Sequence, residues 1–179
     1  MFALRVDQDI ELVLATPDLA PQYTSLVEAN RDYLNEWLHW PRLCLTEEHF
    51  THFLRDALHQ YADGKAMVCA IYYRGELAGN CSFNAINHTL KRANIGYWLA
   101  ENFQGKGIMT RVCRFLIDYA FTKLDIEKVE IVAAEGNRSS RAVAERLGMT
   151  LEGTLSHREK VGDRILSHAY YAAYQKNNH

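Results

Sequence analysis

The chain has 179 residues, 48% of them hydrophobic and 23% charged, with 3 prolines and a formal net charge of −2 at neutral pH; this fits one domain spanning residues 1–179 and excludes a disordered, fibrous or low-complexity protein. The basic residues are dispersed over the chain, which predicts no nucleic-acid footprint. Arg5, Asp7, Asp9 and Glu11 interrupt any signal-peptide core and no apolar run reaches membrane-spanning length, so a cytoplasmic protein with no membrane partner is expected.

In chain order, "IELVLATPDLA" reads as a strand running into a helix, with Thr16 as its cap, Pro17 in the first turn and a helical pattern to about Leu38. Thr46 caps a second helix in which Phe50, Phe53, Leu54, Ala57, Leu58 and Tyr61 recur on one face, closed by Asp63 and Gly64. "AMVCAIYY" and "ELAGNCSFNAI" form a hairpin across Arg74-Gly75, and "ANIGYWLA" is a third strand-like run. Ile108, Val112, Phe115, Leu116, Tyr119 and Ala120 mark a helix of about four turns. "KVEIVAA" follows as a strand, "NRSSRAVAERLG" as a helix closed by Gly148, and a hairpin through "VGDR" leads into "ILSHAYYAAY". The terminal strand, rich in Tyr and Ala, is expected at an exposed sheet edge, available to pair with a second copy in a homodimer. Hairpins followed by alternating strands and helices argue a single α/β (α+β) domain with a mixed, mostly antiparallel sheet flanked by helices.

Cys44, Cys69, Cys81 and Cys113 are widely spaced with no C-x-x-C, so neither a zinc knuckle nor a redox pair is written here, and they are expected reduced and mostly buried. His49, His52 and His59 lie near one another on the second helix, but no carboxylate or cysteine completes a ligand set, and a solvated helix surface is the better reading. No metal is expected.

Between the third strand and the long helix lies "FQGKGIMTRV", with two glycines around Lys106. A dinucleotide fingerprint needs a third glycine where Thr110 stands, and a P-loop needs Ser or Thr where Gly107 stands. What remains is a glycine-rich turn at a helix N-terminus, whose unpaired amides and positive dipole end suit a pyrophosphate. Gln104-Gly105-Lys106-Gly107-Ile108-Met109 resembles the signature of the acetyl-CoA-dependent N-acetyltransferases of the GNAT superfamily (Gln or Arg, two residues, Gly, one residue, Gly or Ala), departing from it at Met109. "GNRSSRAVAERLGMTLEG" resembles the segment after the fifth strand of the same superfamily, in its RimJ/RimL branch of ribosomal-protein acetyltransferases.

The resemblance covers essentially the whole chain and implies a GNAT fold, acetyl-CoA as donor and a primary amine as acceptor. By that match the amides of Gln104, Gly105, Lys106, Gly107, Ile108, Met109 and Thr110 hold the pyrophosphate, and Trp98, Leu99 and Ala100 lie along the pantetheine arm on a strand that splays from its neighbour. Asn137 would hold the cofactor or an ordered water, Ser140 would protonate the departing thiolate, and Glu159 would be the general base. Read from the residues alone, Asn137 is equally a helix cap, Glu159 a solvated hairpin residue, and His157 a competing base with a better-suited ordinary pKa. Trp37 and Trp40 are either core anchors or, as the resemblance implies, an aromatic wall on the acceptor side. The acceptor implied is the N-terminal amine of a ribosomal or other protein, the alternatives being a small amine (polyamine, amino acid or aminoglycoside) and a non-catalytic acyl-CoA-binding module.

Overall fold

The computed structural model describes residues 2–176. Its strands are β1 (Ala3–Arg5), β2 (Ile10–Leu14), β3 (Met67–Tyr73), β4 (Glu76–Asn87), β5 (Arg92–Leu99), β6 (Lys128–Ala134), β7 (Thr150–Val161) and β8 (Arg164–Tyr174). The helices are α1 (Ala20–Ala29), α2 (Arg31–Leu34), α3 (Glu47–Ala62), α4 (Ile108–Lys123) and α5 (Arg138–Arg146). All the strands form one sheet in the order β1-β2-β3-β4-β5-β6-β8-β7, antiparallel except for the β5–β6 pair.

The sheet is covered on both faces, and the period of two along β2 and β3 shows why. Ile10, Leu12, Cys69 and Ile71 pack on the α4–α5 side, whereas Val13, Val68 and Ala70 pack on the α1–α3 side. A strand buried on both faces has no polar alternation, which is why "MVCAI" is a continuous apolar run. Arg74 (φ 51°) and Gly75 (φ 84°) both adopt left-handed backbone, the requirement of the tight hairpin turn expected between β3 and β4. Among the described residues no helix is long and apolar enough to cross a membrane.

Four expectations are corrected. The helix expected up to Leu38 stops at Ala29, because Asn30 leaves helical backbone and its side chain bridges two elements: Nδ2 donates to Leu26 O and Oδ1 accepts from the Glu101 amide, each at 2.9 Å. Thr16 makes no cap bond to the helix; its hydroxyl turns to the Asp18 carboxylate, and the first turn is a 3₁₀ turn over Pro17–Leu19. On α3, Phe50, Leu54 and Ala57 are buried as expected, but Phe53 and Tyr61 are 44% and 37% exposed, so the buried stripe of the helix is narrower than the apolar one. Finally, β8 is an interior strand between β6 and β7, so the edge belongs to β7 and the expected edge pairing through the Tyr/Ala strand is lost.

The feature that positions the site is the parallel pair. β5 and β6 pair only from Arg92↔Lys128 to Ile95↔Ile131. Beyond that point residues 96–99 continue on β4 and residues 132–134 continue on β8, opening a wedge between two strands that started as neighbours.

Candidate active site

Two cavities meet at this wedge. One, of about 560 Å³, is bounded by Trp40, α3, the wedge walls, Glu159 and His168. The other, of about 340 Å³, is bounded by Tyr33, Leu99, Gln104, Met109 and the first turn of α5. Six residues line both: Trp37, Leu38, Tyr97, Trp98, Asn137 and Ser140.

The glycine-rich stretch forms the N-terminal turn of α4. Gly105 (φ 74°) and Gly107 (φ 68°) take left-handed backbone, and the first amide to find a helical acceptor is that of Arg111, on Gly107 O at 3.2 Å. The amides of residues 105–110 have no acceptor among the described residues, whereas that of Gln104 is already used by Glu101 O at 3.1 Å. Gln104 therefore lines the second cavity without a free amide. Ile108 and Met109 are buried, so they offer main chain to the loop and side chain to the core. That explains how Met109 departs from the signature without blocking the turn. Arg111 ties the loop down: its guanidinium reaches Asp7 at 2.8 Å and the carbonyls of Lys106 and Gly107 at 3.4 Å each. Thr110 is held from the other side by Arg146 at 3.1 Å. Lys106 Nζ lies over the rings of Phe103 and Tyr73, at 5.1 and 5.7 Å. A turn with a row of free amides at a positive dipole end fits a pyrophosphate.

On the wedge wall, Trp98 lines both cavities and Leu99 the second, but Ala100 is fully buried, lines neither, and donates its amide to Ala78 O at 2.9 Å. Of the three residues expected along the pantetheine arm, Ala100 has no amide to offer. Across the wedge Asn137 caps α5, its side chain accepting from the Ser140 amide at 3.2 Å. Asn137 is thus a helix cap, and that position places it on the wall of both cavities. The Ser140 hydroxyl is 3.0 Å from the Tyr97 hydroxyl, and burial raises the Tyr97 pKa, keeping that phenol protonated.

Glu159 reaches the site through a distortion of β7. Leu155 pairs with His168 and Glu159 with Leu166, so residues 156–158 face a single residue, Ser167. His157 sits at the centre of this bulge with φ 54°, and the Ser167 carbonyl accepts instead from the Glu135 amide at 2.8 Å. A bulge bends and twists its strand, and Glu159 follows it to the cavity wall. There the carboxylate touches two imidazoles, His39 Nδ1 at 3.0 Å and His168 Nε2 at 3.1 Å. His157, the competing base, is exposed and lines neither cavity.

Trp37 stands where the cavities join, over Gly136, where a Cβ would lie 3.1 Å from the indole, and under the Arg164 guanidinium at 5.3 Å. Trp40 lines the first cavity. Sequence reasoning gave no site role to His39, His168 or Tyr97: Tyr97 and His168 fall inside runs that read as strands, and His39 stands between two tryptophan-bearing turns with no motif around it. The four cysteines are free; burial raises all their thiols, that of Cys69 to about 12. Among the described residues no group of three or more His, Cys, Asp or Glu is arranged to hold a metal ion.

Comparison with known proteins agrees with this geometry. The family model described as an acetyltransferase (GNAT) domain matches residues 9–150. The ribosomal-protein-serine acetyltransferase of Escherichia coli (strain K12) is 32% identical over 161 residues, 89% of each chain. The solved structure of RimL, a ribosomal L7/L12 α-N-protein acetyltransferase, in complex with coenzyme A superposes with a TM-score of 0.93 at 32% identity, covering 97% of this chain and 98% of that one. The microcin C7 self-immunity acetyltransferase MccE, solved with acetyl-CoA and AMP, gives 0.92 at 31% identity and 96% coverage of both chains.

Proposed function

The chain belongs to the GNAT family of acetyl-CoA-dependent acetyltransferases, and we propose that its acceptor is the N-terminal amine of a protein, a ribosomal protein foremost, which would place its work in the cytoplasm. The observation that carries this reading is Glu159, a carboxylate gripped by two imidazoles on the wall of a cavity that joins the second one beside Ser140. The relatives support the acceptor, since both the Escherichia coli protein and RimL are named for ribosomal-protein substrates.

Acetyl-CoA, when bound, supplies a thioester whose acyl group passes to the amine. The amides of residues 105–110 and the α4 dipole hold its pyrophosphate, and the unpaired edge of residues 97–99 offers backbone groups to the arm leading to the wedge. Primary amines are mostly protonated at neutral pH. Glu159 accepts that proton, directly or through a water, and His39 and His168 keep its carboxylate facing the cavity. Ser140, with the protonated Tyr97 beside it, would pass its hydroxyl proton to the sulfur as the C–S bond breaks and recover the proton that the attacking nitrogen loses in becoming an amide. No cysteine acts as an acyl carrier: Cys69, Cys81 and Cys113 are buried with thiols held protonated, and Cys44, half-buried on the first cavity's wall, also has its thiol raised by burial, so the amine attacks directly in a ternary complex.

The test is thiol release from acetyl-CoA with unblocked ribosomal-protein N-terminal peptides, the same peptides N-blocked but carrying lysine, and small amines. Turnover of the unblocked peptides ahead of the blocked peptides and the small amines supports the reading. Turnover with small amines alone sinks it.

A further inference from the structure

The first cavity has an uneven distribution of charge. Among the described residues Glu159 is the only carboxylate lining it, no Lys or Arg lines it, and its two histidines, His39 and His168, both contact that carboxylate. The remaining polar wall is neutral and partnered: Ser82 donates to Asn84 at 2.6 Å, and Asn84 donates to Asn94 at 3.3 Å. Gly96 makes room for this ladder, since a Cβ there would lie 2.3 Å from the Asn84 amide.

Opposite the ladder the cavity is aromatic. Tyr23, Phe50, Trp40 and Trp98 form a closed circuit of ring contacts, with centroids 6.2 Å apart for Tyr23–Phe50, 6.3 Å for Phe50–Trp40, 5.8 Å for Trp40–Trp98 and 6.1 Å for Trp98–Tyr23. Phe53, exposed on α3, extends the same wall. This wall lies beyond the wedge from the glycine loop, because Gln104 and Met109 line only the second cavity.

We propose that this cavity selects an amine with a single positive charge whose neighbouring group is uncharged and aromatic or bulky apolar, seated on the partly exposed Trp40 and Trp98 rings, which the buried Tyr23 and Phe50 support from behind, with its ammonium at Glu159. For a protein acceptor this means a bulky uncharged first residue. The inference rests on the reading of the Glu159 cavity as the acceptor side. A second ammonium on the apolar wall would lose water with no carboxylate of its own, and an anion would lie beside Glu159 with no Lys or Arg to meet it; each is disfavoured. One ammonium gains both the carboxylate and the faces of the surrounding rings. A cavity of about 560 Å³ is also far larger than a hydroxymethyl side chain fills.

The experiment measures kcat/KM for four peptides identical except for a first residue of Phe, Met, Ser or Asp, alongside phenethylamine and spermidine. Phe and Met peptides are expected to exceed the Ser peptide by about tenfold to a hundredfold, the worth of one buried apolar side chain, with the Asp peptide slowest and phenethylamine ahead of spermidine. Trp40→Ala is expected to bring the Phe-to-Ser ratio toward one, while Trp40→Phe keeps it. A Ser or Asp peptide turned over as well as the Phe peptide, or spermidine ahead of phenethylamine, overturns the inference and leaves the acceptor reading intact. Turnover of phenethylamine with no peptide overturns the acceptor reading and leaves the cavity's selectivity standing, and no turnover with any amine overturns both. If Trp40→Ala does not fold, the wild-type ratios decide alone.

Discussion

At Glu159 a carboxylate bridges His168, on the neighbouring strand β8, and His39, 120 residues away in the chain. Replacing it with Gln keeps the shape and removes the proton acceptor. Glu159→Gln is expected to lower kcat by about 10²- to 10⁴-fold while calorimetric binding of acetyl-CoA stays near wild type, because the residue lines only the first cavity. Loss of cofactor binding in this variant would mean that Glu159 holds structure instead of moving a proton. Cys113 tests the opposite case. It is fully buried on α4 and burial raises its thiol, so it cannot act as a nucleophile at neutral pH. Cys113→Ala is expected to keep turnover and to lose about 1 kcal/mol of stability in denaturant unfolding from the shrunken side chain. A variant that binds acetyl-CoA and has no turnover would contradict direct attack.

Among the elements, the α4 turn is the one where backbone conformation and ligand chemistry coincide. Gly107 has φ 68° with nothing within 4 Å of a Cβ built on it, so the cost of a side chain there is purely conformational. Gly107→Ala is expected to cost about 1–2 kcal/mol and to weaken acetyl-CoA binding in titration, since the relaxing turn re-aims its free amides. Unchanged affinity would remove the loop from the binding site. The same turn is tied to the β1–β2 connection by Arg111 on Asp7. Burial works to raise the Asp7 pKa, but the Asp9 amide and the Arg111 guanidinium outweigh it and hold the carboxyl below its ordinary value of 3.8. A depressed folded-state pKa means that the contribution is fully present above 3.8 and disappears as pH falls through the lower folded-state value. Asp7→Asn is therefore expected to flatten the acid limb of a stability-versus-pH curve below about pH 4 and to leave neutral-pH secondary structure alone; an unchanged acid limb would show that the tie contributes nothing. Much at this scale was legible in the sequence. The Thr46 cap accepts from the His49 amide, Asn137 caps α5, and the Arg74-Gly75 turn closes its hairpin. Caps, turns and glycine conformations follow from residues within four positions of one another. The end of α1 was not legible, because Asn30 is engaged by Glu101, 71 residues away.

For the whole molecule, a ligand that binds only the folded state raises stability by mass action. At a hundred times its dissociation constant, acetyl-CoA is expected to add about 2.7 kcal/mol and to raise Tm by roughly 5–11 °C for a chain of this size. Acetylpantetheine, which keeps the thioester arm and lacks the pyrophosphate and nucleotide, should shift it less, and an equal shift would move the main binding contribution away from the α4 turn. The sequence by itself determined the fold class, the order of the elements from β2 onward in outline and the glycine turn, because periodicity, capping and left-handed backbone are local properties of a chain; the short β1 strand carried no such signal. It also marked Glu159, Ser140 and Trp40, though through a family pattern and not through their surroundings. Only the tertiary structure decided that β5 and β6 part after Ile95, that β7 and not β8 is the sheet edge, and that a three-residue bulge brings Glu159 to two histidines, one of them 120 residues away. These depend on which strands pair and where pairing stops. That is settled by packing on both faces of the sheet between residues far apart in the chain, and no window of sequence contains both partners.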